Sequence, residues 1–181
     1  VYAATAPDGK VYRGTDVFYD PKAKYIWAMA FDKAGNLYVA TGDKGEIHKV
    51  TPQGQGSVFF KTEEEHARSL VVDANGNVIA GTEPGGLVTR ISPAGQGFVL
   101  YQAGRREVTA LAIAPDGSIY LAAVGNKPAA SSPAPPPAPA AAPVTAPAPA
   151  GGAPAAGARP VAPPPTLTPS SVSGGSEVVR I

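Results

Sequence analysis

The sequence predicts an all-β fold built from a repeated antiparallel unit of four short strands, and three observations support this prediction. Segments 26–41, 67–82 and 108–123 align without gaps at a period of 41 residues. Apolar residues recur at every second position of each segment, which is typical of a strand with one side packed inward. A glycine ends the turn after each first strand, at Gly35, Gly76 and Gly117. Units of this length pack face to face around an axis, so the predicted fold is a β-propeller.

Each unit, or blade, is predicted to be a hairpin followed by two further strands. The first strand places Met29, Leu70 or Leu111 in the core, and Asp or Asn accompanies the turn glycine, as a short hairpin requires. A Pro-x-Gly turn at Pro52 and Pro93 separates the third strand from the fourth. The second strands are predicted at 37–41, 78–82 and 119–123, the third at 46–50 and 87–91, and the fourth at 16–19, 57–61 and 98–101.

The two ends of the chain match parts of a blade. Residues 1–5 match a second strand, so the first blade is predicted to lack its first strand, and residues 177–181 match a third strand, so the last blade lacks its fourth. We expect this fragment of about four blades to belong to a longer protein whose start precedes Val1. A β-sandwich is the alternative fold, although sandwiches have no fixed internal period. The predicted divisions are a partial blade at 1–24, blades at 25–65 and 66–106, and a partial blade at 107–125 plus 176–181.

A proline- and alanine-rich segment at 126–175 interrupts the last blade between its second and third strands. Of the 21 prolines in the chain, 15 lie between Pro128 and Pro169. Such a composition buries too little apolar surface to offset the entropy of ordering, so the sequence predicts a disordered insertion with polyproline-II character. The insertion is either a tether or ligand for a proline-binding groove, or a neutral expansion of a loop. The entropic cost of closing a loop rises only slowly with loop length, which favours the neutral expansion.

Charge and composition narrow the possible partners. The net charge is +1, with 15 basic and 14 acidic residues, so the sequence gives no electrostatic signal for nucleic acid or an anionic membrane. No apolar run reaches the roughly 20 residues of a membrane span. Cysteine is absent, which excludes disulfides and thiolate chemistry. The sequence predicts no cofactor and no metal.

One face of the ring is the predicted ligand-binding surface. Loops between fourth and first strands share this ring face with loops between second and third strands. Trp27, Arg68 and Thr109 hold equivalent repeat positions, so their side chains are expected to point together toward its mouth. The three residues differ in type at one repeat position. Either this difference reflects recognition of a ligand, or Trp27 caps the core and the other two residues lie in unconstrained loops. The candidate residues are Tyr25, Trp27, Glu65, His66, Arg68, Arg106, Glu107 and Thr109.

The histidines do not form a predictable pair. His48 lies in a third strand and His66 at the start of a first strand, so a two-histidine zinc or catalytic site is not expected. Alternation along the third strand predicts that His48 is exposed on the surface.

The pattern Asp-x-x-Gly-Asn followed by a short apolar strand and Thr, at 32–41 and 73–82, resembles NHL-type and two-component-regulator-type propeller repeats. Propellers of the SMP-30/gluconolactonase and streptogramin-lyase types are similar. The resemblance implies binding of a small ligand, glycan or protein on one ring face, outside the cytoplasm. Because the sequence also contains no recognisable catalytic cluster, the repeat predicts a non-enzymatic sensor or scaffold. The alternative is a propeller hydrolase or lyase acting on a lactone or sugar-like substrate, although the sequence does not match the metal ligands of the lactonases.

Overall fold

A computed structural model of the chain describes residues 1–127 and 175–181, which form four antiparallel sheets. The predicted insertion at 126–175 lies, apart from its two ends, outside these residues. In the described part of the chain, no helix is long and apolar enough to cross a membrane.

The four sheets are the predicted blades, with strands in sequence order within each sheet. Blade 1 contains β1 (Tyr2–Ala4), β2 (Gly9–Arg13) and β3 (Asp16–Ala23), and blade 2 contains β4 (Ile26–Phe31), β5 (Leu37–Thr41), β6 (Glu46–Val50) and β7 (Gly56–Lys61). Blade 3 contains β8 (His66–Val72), β9 (Val78–Glu83), β10 (Leu87–Ile91) and β11 (Gly97–Gln102), and blade 4 contains β12 (Arg105–Ile113), β13 (Ile119–Asn126) and β14 (Ser176–Arg180). This arrangement confirms the predicted fold class, including the incomplete first and last blades.

The hairpin turns are closed by the side chains that the sequence indicated. The Asp73 carboxylate accepts hydrogen bonds from the backbone N–H groups of Asn75 and Asn77, each at 2.8 Å, and from the Asn77 side chain at 2.7 Å. Gly76 completes the turn with a φ of 81°, which glycine adopts without steric cost. Burial alone would raise the pKa of Asp73, but these hydrogen bonds to the carboxylate outweigh it and lower the pKa.

The core lies between the blades, as expected for sheets that cannot bury both faces alone. Each of three apolar clusters joins two neighbouring blades. Val11 of blade 1 packs with Leu37 and Val39 of blade 2, for example. The other two clusters join blades 2 and 3 around Tyr38, Ile47, Leu70, Val78 and Ala80, and blades 3 and 4 around Ile79, Val88, Val108, Ile119 and Leu121.

The prediction that His48 is exposed was wrong, because the structure buries it between blades 1 and 2. Alternation predicts exposure only for a sheet with one wet face, and blade 2 is covered on both faces. The hydroxyl of Tyr19 in blade 1 lies 2.9 Å from Nδ1 of His48, and Glu46 Oε2 lies 3.4 Å from Nε2. Burial lowers the pKa of His48, and Glu46 only partly opposes this effect.

Candidate functional site

The first strands of blades 2, 3 and 4 carry a β-bulge at the same repeat position. Trp27 is the extra residue of β4, because its neighbours Ile26 and Ala28 pair with consecutive residues of β5. Arg68 in β8 and Thr109 in β12 are the extra residues at the equivalent positions. A bulge leaves one residue out of the ladder and changes the direction of its side chain. The three residues that the sequence singled out are therefore the three that the backbone displaces.

Trp27 lies within a small aromatic group on the ring face. Its indole stacks on Tyr25, with ring centroids 5.2 Å apart and planes 22° apart, and His66 meets it edge-on at 5.9 Å. Gly42 makes room for this group, since a Cβ there would lie 2.5 Å from Trp27 Nε1. A hydrogen bond with Tyr25 raises the pKa of the neighbouring Lys24, whose Nζ lies 5.0 Å from the Tyr25 ring centroid.

Arg68 connects the three blades at this face. Its guanidinium carbon lies 3.9 Å from the centre of the Trp27 ring in blade 2, a cation–π contact. Arg68 Nε donates a hydrogen bond to Glu107 Oε1 in blade 4 at 2.7 Å, and Nη2 contacts the same oxygen. Glu83 Oε2, in its own blade, lies 3.5 Å from Nε. The side chains of Arg68 and Glu107 are only 22% and 18% exposed, so this ion pair is partly shielded from water.

Glu83 is the site residue that the sequence analysis missed. Its carboxylate forms ion pairs with two arginines: Oε1 lies 3.2 Å from Arg106 Nε, and Oε2 lies 3.5 Å from Arg68 Nε. A signal was available: Glu83 lies 41 residues after Gly42, at the start of a loop between second and third strands, and those loops were expected to share the ring face. The Arg106 side chain is 50% exposed, so this ion pair is more open to solvent than the pair of Arg68 and Glu107.

His66 is held in one orientation by the loop of the preceding blade. The backbone N–H of Asp43 donates to Nδ1 of His66 at 3.1 Å, which places the ring proton of the neutral imidazole on Nε2. Nε2 lies 3.5 Å from Oε1 of the exposed Glu65. Glu64 points elsewhere and accepts a hydrogen bond from the backbone N–H of Gly85 at 2.8 Å.

Thr109 is the predicted site residue that stands apart from this network. Its side chain is exposed, and its hydroxyl donates to the backbone carbonyl of Ala122 at 3.2 Å, within its own blade. Glu107, two residues earlier, makes the contact with Arg68 instead. Among residues 1–127 and 175–181, no group of three His, Cys, Asp or Glu side chains could hold a metal ion. The ring face therefore presents aromatic rings and paired charges contributed by three blades.

Comparison with known proteins supports the fold. No family model matches the chain, and neither does any curated protein. The chain is similar to a structure of a nidogen/laminin complex, with a TM-score of 0.58 and 15% identity over 67% of this chain and 52% of that one. It is also similar to regucalcin, a calcium-binding protein from Agrobacterium tumefaciens, with a TM-score of 0.55 and 19% identity over 68% of this chain and 46% of that one.

A third similar structure is virginiamycin B lyase from Staphylococcus aureus, with a TM-score of 0.52 and 15% identity over 66% of this chain and 40% of that one. The chain spans about half the length of these structures or less. Identities this low show the fold alone. The chain is a β-propeller, and its fold resembles the regucalcin and lyase propellers to which its repeat pattern pointed.

Proposed function

We propose that the chain is a non-enzymatic binding propeller that recognises a protein segment at the ring face. One observation carries the proposal: equivalent bulges in adjacent blades bring Trp27 and Arg68 into contact at one end of the sheets. A surface assembled by three blades recognises a shape that no single blade can match. Glu107 supplies the contribution of blade 4.

The residue types at the ring face are those that dominate protein–protein interfaces. Trp, Tyr and Arg are enriched among the few interface residues that carry most of the binding energy. Tyr25, Trp27, Arg68 and Arg106 bring four such side chains together, with an acidic residue beside each arginine. Ion pairs hold the two arginines in place before a ligand arrives, and stacking with Tyr25 holds Trp27, which reduces the entropy lost on binding.

The hydrogen bonding of the titratable side chains also favours recognition over acid–base chemistry. Nδ1 of His66, the nitrogen that would act as a base, already accepts a backbone hydrogen bond. The carboxylates of Glu83 and Glu107 are engaged by arginine. Similar structures include both a complex of two proteins and a lyase, so the choice between these classes rests on the side chains of this chain.

Selection of peptides from a displayed random library against the immobilised chain tests this proposal, because such peptides concentrate at surfaces suited to protein binding. We expect Arg106→Ala to raise the dissociation constant of the selected peptides about tenfold or more, which corresponds to about 1.4 kcal/mol of binding free energy. Arg180→Ala is the matched control. Arg180 is likewise exposed and paired with one carboxylate, Asp116, but it lies at the opposite end of its blade.

Two results would contradict the proposal. The first is a set of peptides whose affinity falls with Arg180→Ala and not with Arg106→Ala, which would place binding at the other face. The second is turnover of a lactone or sugar-like substrate that Arg106→Ala abolishes, which would favour the enzymatic alternative.

A further inference from the structure

The repeat makes it possible to compare the interface between blades 1 and 2 with the interface between blades 2 and 3. In the first of these, the Tyr19 ring packs against Gly56, where a Cβ would lie 2.6 Å from the ring. The Tyr19 hydroxyl lies 2.9 Å from one imidazole nitrogen of His48, and Glu46 Oε2 lies 3.4 Å from the other. Two polar rings and a carboxylate thus occupy this interface.

Each polar member of this group is replaced in the interface between blades 2 and 3. The residues that lie 41 positions after Tyr19, Glu46 and His48 are Phe60, Leu87 and Thr89. The arrangement of the backbone is the same, because the Phe60 ring packs against Gly97 as the Tyr19 ring packs against Gly56. The second interface therefore keeps one aromatic ring and the glycine, and it lacks the phenolic hydroxyl, the imidazole and the carboxylate.

A pocket of about 410 Å³ opens at this place between blades 2 and 3. Both of these blades have all four strands. Phe60 and Leu87 line the pocket together with Phe98 and Val99 of β11, which are 62% and 49% exposed. We call these four residues and Thr89 the Thr89 pocket. No candidate residue of the ring face lines it, so it is a separate site.

Thr89 places a free hydroxyl in the wall of this pocket. Thr89 is 6% exposed, and no described residue forms a hydrogen bond with its side chain. The other two threonines of the wall use their hydroxyls within the protein. Thr62 donates to the backbone carbonyl of Gly45 at 2.9 Å, and Thr82 accepts from the backbone N–H of Leu87 at 3.0 Å. Because burial of an unpaired hydroxyl costs free energy, a ligand that supplies a partner for Thr89 gains affinity.

We propose that the Thr89 pocket binds a phenol ring, carried by a free small molecule or by a tyrosine side chain of another protein. The ring takes the space that corresponds to the imidazole of His48, and its hydroxyl pairs with the hydroxyl of Thr89. An imidazole fits this pocket less well, because each of its two nitrogens needs a partner and the groups that serve His48 are replaced by Phe60 and Leu87. A ring without a polar atom leaves the Thr89 hydroxyl unpaired.

Titration of the isotope-labelled chain with p-cresol, followed by amide chemical shifts, tests the proposal. We expect saturable shifts centred on Thr89, Phe98 and Val99. Toluene is the same ring without the hydroxyl, and Thr89→Val removes the hydroxyl of the protein while keeping the shape of the side chain. We expect Thr89→Val to raise the dissociation constant of p-cresol about fivefold or more and to leave that of toluene no higher. Thr89→His, which copies His48, should prevent binding of both compounds.

N-acetyltyrosinamide distinguishes the two sources of the ring. Binding of this compound at the Thr89 pocket indicates a tyrosine of a partner protein, and its exclusion, with p-cresol still bound, indicates a free phenol. Urea unfolding should find Thr89→Val at least as stable as the original chain, because the hydroxyl that it removes has no partner in the protein. A less stable Thr89→Val would overturn the proposal. So would the absence of saturable shifts at the pocket, or an equal loss of affinity for p-cresol and toluene.

Discussion

Replacement of Arg68 with Met tests whether the ring face also stabilises the arrangement of the blades. The substitution keeps the apolar stem of the side chain and removes the guanidinium, which contacts blades 2 and 4. Glu107 and Glu83 then lose a cationic partner. Because these carboxylates belong to different blades, the loss weakens contacts between blades as well as within one.

The magnitude follows from the contacts and their burial. A hydrogen bond to a charged group contributes about 1.5–3 kcal/mol, and a cation–π contact about 0.5–2 kcal/mol. The Arg68, Glu83 and Glu107 side chains are all less than a quarter exposed, so solvent screens the pairs only in part. Water nevertheless reaches the freed carboxylates and recovers some of the loss. We expect Arg68→Met to lower the free energy of unfolding by about 2–4 kcal/mol.

Urea unfolding followed by the fluorescence of Trp27, the one tryptophan of the chain, measures this loss. Arg180→Met is the matched control, because Arg180 forms an exposed pair with Asp116 at 2.9 Å, with both side chains more than half exposed. Such a pair contributes about 0–1 kcal/mol. If both variants lose the same unfolding free energy, and the slope of that free energy against urea concentration is unchanged, the idea that Arg68 joins the blades is refuted.

Two further predictions concern residues that border blade interfaces. Gly42→Ala should displace the Trp27 indole, because the new Cβ would lie 2.5 Å from Nε1; acrylamide should then quench Trp27 more strongly, and unchanged quenching would show that the ring does not need this space. His48→Thr, which copies the buried Thr89 of blade 3, should reduce the loss of stability on acidification. Because burial lowers the pKa of His48 below its ordinary value of 6.5, the unfolded chain binds a proton that the folded chain does not, and stability falls as the pH drops below about 6.5. Urea unfolding of both proteins from pH 7.5 to 5 measures this difference, and parallel pH profiles would contradict the assignment.

The fold could be predicted from the sequence because its determinants are local and repeated. Glycine turns such as that of Gly76 recur every 41 residues, and the strands between them alternate in a period of two. Burial of individual residues was less predictable. In the sequence pattern, His48 occupies a position that looks exposed. Only the packing of blade 1 against blade 2 buries it. Alternation assigns a residue to one side of a sheet and does not say what covers that side.

The sequence could predict which positions form the candidate site, but not which side chains contact one another there. Equivalent repeat positions identified Trp27 and Arg68, and the structure brings them together. The partners of Arg68 required coordinates, because a long side chain reaches across a blade boundary that the sequence period does not describe. Glu107 was named as a candidate for its place in a loop, and Glu83 was not named at all, although together they hold the guanidinium.

The recurring bulge explains how the repeat can be regular and the ring face varied. A paired strand residue at this position would have to fit against the neighbouring blade, as Ala28 and Ser69 do one position later; Ser69 is buried, and its hydroxyl donates to the backbone carbonyl of Val108 at 2.9 Å. The extra residue is released from the backbone ladder, so its side chain lies at the ring face and not between the sheets. A tryptophan, an arginine and a threonine therefore occupy one position without a change in the period. The side chains at the bulge can therefore differ from blade to blade while the glycine turns and the buried strands preserve the repeat.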